Sequence, residues 1–237
     1  MSEFRVATFD CYGTLIDWEG GVGAFLYELA RRHEQDPPPA RELRERWEAL
    51  QFERIQAGWR SYREILADSL AAWSGERGYR YNEHDGEALA RSMECWQPFP
   101  DTVPALRAAR DAGLELWIIS NTDRAIINHS LHHLEVEFAG VTVAEDARAY
   151  KPSTVPFDHA LRAIDRPHDQ ILHVAFGFKY DIGPAQRLGC RAAWINRYVE
   201  SAPGPERPDY VWRDLWGLAE LMGGRGPVLD QAPPTSR

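Results

Sequence analysis

The sequence predicts an α/β protein: one parallel sheet with helices on both faces, interrupted after its first strand by an all-helical insert. Three observations predict it. A short apolar run, Val6-Ala7-Thr8-Phe9, stops at a carboxylate, Asp10. From about Gly20 to Cys95 the apolar residues fall at helical spacing, with almost no β-branched runs. From Leu114 onward strand-like and helix-like segments alternate, the signature of a parallel sheet.

The elements follow in order. Val6–Phe9 reads as a buried strand, and Tyr12-Gly13-Thr14-Leu15 as the turn that leaves it. In the insert, Phe25, Leu26, Leu29 and Ala30 mark one helix. Leu43, Trp47, Leu50 and Gln51 mark a second, and Tyr62, Ile65, Leu66 and Leu70 a third. Asp36-Pro37-Pro38-Pro39 separates the first two, because proline cannot continue a helix. Gln97-Pro98-Phe99-Pro100-Asp101 is the return linker, and Asp101 or Thr102 caps the next helix with Pro104 in its first turn. Strands are expected at 114–119, 141–143, 171–175 and 192–195, with helices at 125–134, 157–163 and 183–188. The expected organisation is a core of residues 1–16 and 98–222, a helical unit of residues 17–97 and a flexible Pro/Gly-rich tail of residues 223–237.

Composition narrows the function classes. A net charge of −9 and a pI near 5.4 leave no basic footprint for nucleic acid or anionic lipid. No apolar run approaches the ~20 residues that span a bilayer. The N-terminus lacks the basic and apolar regions of a signal peptide. Cys11, Cys95 and Cys190 lie far apart, without metal or disulfide spacing, so a reducing cytoplasm is expected. His132-His133 is not metal-like, because adjacent positions do not share a helix face.

In doubly wound sheets, ligands bind beyond the carboxyl ends of the strands. Four polar clusters fall there: Asp10, Ser120-Asn121, Lys151 and Asp181. Asp10, ahead of a tight Gly13-Thr14 turn, is a candidate covalent nucleophile. Lys151 would keep it ionised, Ser120 and Asn121 would hold an anionic group, and Asp181 would hold Lys151 or orient water. Trp18, Trp47, Phe176 and Phe178 are candidates to wall a small apolar pocket.

This constellation resembles the haloacid dehalogenase superfamily. Phe9-Asp10-Cys11-Tyr12-Gly13-Thr14-Leu15 matches its first motif, Ser120-Asn121 its second and Lys151-Pro152 its third. His173-Val174-Ala175 leading to Asp181 resembles its fourth. The resemblance implies a Rossmann-like parallel-sheet core with an inserted all-helical cap domain, and an aspartyl-ester intermediate on Asp10. The superfamily's phosphatases carry a second aspartate two residues after the nucleophile, where this chain has Tyr12. With an ordinary pKa near 10, tyrosine is a poor substitute for that acid. Their magnesium-binding aspartate is replaced by Phe176, and a phenyl ring offers a hard cation no oxygen.

The dehalogenase branch shares the tyrosine. It implies attack by Asp10 on the halogen-bearing carbon of a small carboxylate, (S)-2-haloacid dehalogenation to a 2-hydroxy acid, with no cofactor or metal. On this resemblance Asp10, Thr14, Lys151 and Asp181 are catalytic, while Cys11, Tyr12, Ser120, Asn121, Trp47 and Phe176 contact the substrate. Asn121 cradles the departing group, and a homodimer is suggested. The chain departs from the branch at Glu48, where an arginine assists the halide, and at Phe157, where a tyrosine stands. Arg44 and Arg54 are the candidates to replace the arginine, since Glu48 facing the site would repel halide and carboxylate. The fourth motif also departs, with Ala175-Phe176-Gly177-Phe178-Lys179-Tyr180 in place of Ser-Ser-Asn. Alternatives are another leaving group at the α-carbon, such as opening of azetidine-2-carboxylate with Glu48 on its ammonium, an atypical magnesium-dependent phosphatase, or a non-catalytic binding module.

Overall fold

A computed structural model describes residues 3–224. The chain enters β1 (Val6–Phe9) and then forms four helices, α1 (Trp18–Ala30), α2 (Ala40–Gln56), α3 (Tyr62–Glu76) and α4 (Glu83–Ser92). It returns through α5 (Thr102–Asp111) to β2 (Glu115–Ser120), α6 (Arg124–Leu134) and β3 (Gly140–Val143). A single turn, α7 (Ala144–Ala147), precedes α8 (Val155–Ile164), β4 (Ile171–Ala175) and α9 (Phe178–Arg187). The described chain closes with β5 (Arg191–Ile195), β6 (Tyr210–Trp212) and α10 (Trp216–Leu221).

The strands form one parallel sheet in the order β3-β2-β1-β4-β5-β6. The chain winds outward from β1 to β3, then returns to lay β4 on the other side of β1. That reversal is a topological switch point, so the carboxyl ends of β1, β2 and β4 open onto one crevice. In the register Phe9 lies opposite Ile118 and Val174, which brings Asp10, Ser120 and Phe176 to the same edge. Both faces of the sheet are buried, as a parallel sheet requires. Val6, Ile119, Ile171 and Trp194 pack with Phe157 and Ile182 of α8 and α9, while Ala7, Phe9 and Ile118 join the larger core that continues into the helical insert.

The insert leaves and returns at one place. Asp17 N–H donates to Gln97 O at 2.9 Å, Phe99 N–H donates to Leu15 O at 3.1 Å, and Ile16 bridges Pro98. The insert is also held to the sheet at the start of α3. Asp123, from the loop after β2, accepts Tyr62 N–H at 2.8 Å and Arg63 N–H at 2.9 Å. Ser61 accepts the next, Glu64 N–H, in a capping box.

The sequence reading marks no separate helix for α4, α7 or α10, and β6 and α9 differ from expectation as well. β6 is a three-residue edge strand inside a Pro- and charge-rich stretch, too short to show a period. α9 starts at Phe178 and carries Pro184 internally, whereas Gly177 and Pro184 place the expected start at Gly183. Asp181 thus lies in the first turn of α9. The expected tail falls almost entirely beyond the described residues.

Candidate active site

Asp10 emerges from the end of β1 and is nearly buried. Its Oδ2 accepts the Thr14 hydroxyl at 2.7 Å, and Thr14 Oγ1 in turn accepts Phe176 N–H at 2.8 Å. Gly13 makes this turn possible. Its φ is +91°, and a Cβ there would stand 2.7 Å from the Phe176 ring. Asp10 Oδ1 takes Lys151 Nζ at 2.9 Å. The same ammonium donates to Asp181 Oδ1 at 2.6 Å and to Ile119 O at 2.9 Å, so its three protons meet three acceptors.

Asn121 grips the Lys151 backbone from both sides, donating to its carbonyl at 3.0 Å and accepting its N–H at 2.8 Å. The side chain expected to cradle a departing group therefore has its amide committed to placing the lysine, although it also borders the cavity. Arg197 steadies the Thr14 turn by donating to Thr14 O at 3.0 Å while paired with Asp101.

Charge in this floor is closely balanced. Burial raises the Asp10 carboxyl above its ordinary value; Lys151 opposes that rise and the nearby Asp181 charge adds to it. Asp181 sits below its ordinary value, because Lys151 and His173 outweigh its burial. Burial works against the Lys151 ammonium, but two carboxylates raise it nonetheless. Burial thus makes Asp10 harder to ionise, while Asp181 ionises more readily, around one shared cation.

Above the floor is a cavity of about 280 Å³. Asp10, Tyr12, Ser120, Lys151, Phe176 and Asp181 border it from the sheet side; Trp18, Arg44, Glu48, Gln51 and Tyr62 border it from the insert. Ser120 Oγ is buried without a hydrogen-bond partner among the described residues. Burial pushes the Tyr12 hydroxyl well up, and that hydroxyl is bonded to Ser130 Oγ at 2.8 Å. Among the described residues, no group of three His, Cys, Asp or Glu side chains is placed to hold a metal ion.

A model of the haloacid dehalogenase-like hydrolases matches residues 4–189. The chain belongs to that family. A haloacetate dehalogenase of Moraxella sp. (strain B) is 27% identical over 205 residues, covering 84% of this chain and 88% of the relative. An (S)-2-haloacid dehalogenase of Pseudomonas fluorescens is 25% identical over 230 residues, covering 94% and 98%. The fold matches a solved L-2-haloacid dehalogenase with a TM-score of 0.83 at 24% identity, covering 93% of this chain and 99% of that one.

In this family member the geometry gathers Asp10, Thr14, Ser120, Asn121, Lys151 and Asp181, as expected. Tyr12 and Phe176 also border the cavity. Two expected substrate contacts do not. Cys11 is fully buried, and its carbonyl accepts Leu15 N–H and Ile16 N–H within the turn. Trp47 is fully buried beside Trp18, with ring centroids 6.2 Å apart, and it is Trp18, not Trp47, that lines the cavity from the insert. Helical spacing identifies the inward face of α2 but not how deep each inward residue sits.

Glu48 does face the cavity, but not as a bare charge: Arg44 NH1 lies 3.0 Å from it. Arg44 also pairs with Glu19 at 2.8 Å and lies over the Trp18 ring. Of the two candidate arginines, Arg44 borders the cavity, while Arg54 donates to Leu50 O within α2. Sequence reasoning misses Tyr62, whose hydroxyl accepts Gln51 Nε2 at 2.8 Å, and gives His173 no task. The His173 Nε2 lies 3.0 Å from Asp181 Oδ1, and its Nδ1 lies 2.8 Å from Thr8 Oγ1. The available signal is a pair of polar residues, Thr8 and His173, inside otherwise apolar strands.

Proposed function

We propose that this hydrolase is a metal-independent (S)-2-haloacid dehalogenase, with the four helices of residues 17–97 as a cap over the site. The observation that carries the reading is the state of Asp10. It is a nearly buried carboxylate clamped between Lys151 and Thr14 at the base of a cavity. Such a group is a preorganised nucleophile rather than a surface acid. Similarity to a haloacetate dehalogenase and to (S)-2-haloacid dehalogenases points to the same chemistry.

Asp10 attacks the α-carbon, the carbon–halogen bond breaks, and halide leaves with the electron pair. No acid is needed, because halide departs as a stable anion. This fits a Tyr12 hydroxyl that burial keeps protonated and that is engaged with Ser130. The unpartnered Ser120 hydroxyl receives the substrate carboxylate, while Arg44, shared between Glu19 and Glu48, offsets the Glu48 charge at the cap side. Water then attacks the Asp10 ester carbonyl with Asp181 as base, releasing a 2-hydroxy acid of inverted configuration.

The test is halide release from (S)-2-chloropropionate with EDTA present. Release that persists in EDTA and disappears in Asp10→Asn is expected. Release that requires magnesium, or that survives Asp10→Asn, would overturn the reading.

A further inference from the structure

Ester hydrolysis, the second step of the proposed dehalogenation, needs a base held in one orientation, and the role assigned to His173 below rests on that dehalogenase reading. The two oxygens of Asp181 have unlike surroundings. Oδ1 takes Lys151 Nζ at 2.6 Å and His173 Nε2 at 3.0 Å. Oδ2 accepts no hydrogen bond among the described residues. A Cβ at Gly177 would stand 2.6 Å from Oδ2, so glycine keeps side-chain atoms out of the space beside it. Gly177 and Asp181 both border the cavity.

We propose that His173 is the positioning residue of ester hydrolysis: its Nε2–H pins Asp181 Oδ1 and leaves Oδ2, beside Gly177, to take a proton from the attacking water. The imidazole tautomer is dictated by its neighbours. An ionised Asp181 only accepts, so Nε2 carries the proton, and Nδ1 accepts the Thr8 hydroxyl. Thr8 and His173 face each other directly in the β1–β4 register, which fixes the ring. Its edge contact is the Phe157 ring, with centroids 4.9 Å apart, and a phenyl group offers Asp181 no competing bond.

The step balances. The water oxygen bonds to the Asp10 carbonyl carbon while one proton passes to Asp181 Oδ2. The bond from that carbon to the substrate oxygen breaks, and the released alkoxide takes the proton back. The second water proton is lost to solvent as Asp10 ionises again beside Lys151.

Three variants and one spectrum test this. His173→Asn keeps an amide near Thr8 but is too short for Asp181, whereas His173→Gln places an N–H where Nε2 was. Gly177→Ala fills the space beside Oδ2 at a backbone φ of −68° that alanine accepts. In rapid-quench assays with (S)-2-chloropropionate, His173→Asn should release its first equivalent of halide at the wild-type rate. It should then turn over about ten- to a hundredfold more slowly, the scale of one lost charge-assisted hydrogen bond. The Asp10 ester should accumulate as added mass on the intact protein. Gly177→Ala should accumulate it too, and His173→Gln should turn over close to wild type. Nitrogen-15 NMR of the resting protein should show the His173 proton on Nε2.

A proton on Nδ1 with a bare Nε2 would overturn the inference. So would a His173→Asn protein whose halide burst and turnover slow equally without ester. Either result leaves the dehalogenase reading standing if the wild type releases halide. No halide and no ester from the wild type would remove that reading and this step together.

Discussion

Lys151 has no hydrogen-bonding capacity to spare, so in the proposed reaction it would act as a fixed charge rather than as a donor to substrate. Lys151→Met would leave two buried carboxylates without their cation. Breaking a buried pair in this way costs about 3–5 kcal/mol, and urea unfolding at pH 7 should show that loss along with abolished halide release. Removing the lysine takes away a lowering influence on both carboxyls, so their folded-state pKa values should rise. The loss is then complete at neutral pH and shrinks as pH falls through those values, so the same comparison at pH 5 should show a smaller gap. In the wild type Asp10 titrates above its ordinary value of 3.8 and Asp181 below it. The acid limb of kcat/KM against pH should therefore follow Asp10, with a midpoint above 3.8. At this scale the sequence is most readable where a polar residue ends a strand, as at Asp10 and Ser120. It is least readable where depth decides, as for Trp47 and Cys11, because residue type does not report which atoms reach a cavity.

Among elements, α3 is the best-anchored part of the insert. Its first three backbone donors, Tyr62, Arg63 and Glu64, are all satisfied, two of them by Asp123 from the sheet. Tyr62 is both the first residue of that helix and part of the cavity wall. Asp123→Ala should cost about 2 kcal/mol and lower Tm by about 4–8 °C. It should also raise KM, because Tyr62 loses its anchor; calorimetry and steady-state kinetics check both. Such a tie joins residues about sixty positions apart, and no local pattern announces it. The α9 boundary is misread for a local reason. Glycine and proline signal a break, while packing of Phe178 and Ile182 onto the sheet starts the helix directly after Gly177 and carries it through Pro184.

At the scale of the whole molecule, a net charge of −9 sets a long-range field that opposes an anionic substrate. The screening length shrinks from about 30 Å at 0.01 M salt to about 8 Å at 0.15 M. The kcat/KM for 2-chloropropionate should therefore rise between those salt concentrations, whereas a neutral haloamide, if turned over, should show no such rise. The parallel sheet is readable because the strand–helix alternation admits few right-handed topologies. β6 escapes because an edge strand of three residues has no period to detect.

The insert departs and re-enters where Asp17 and Gln97 are one hydrogen bond apart. Its two ends are therefore already neighbours, as the ends of a detachable module must be. A short turn joining residues 16 and 98 could replace all four helices without opening the sheet. The insert can thus vary wholesale, altering what enters the cavity, while Asp10 beneath it stays where β1 leaves it.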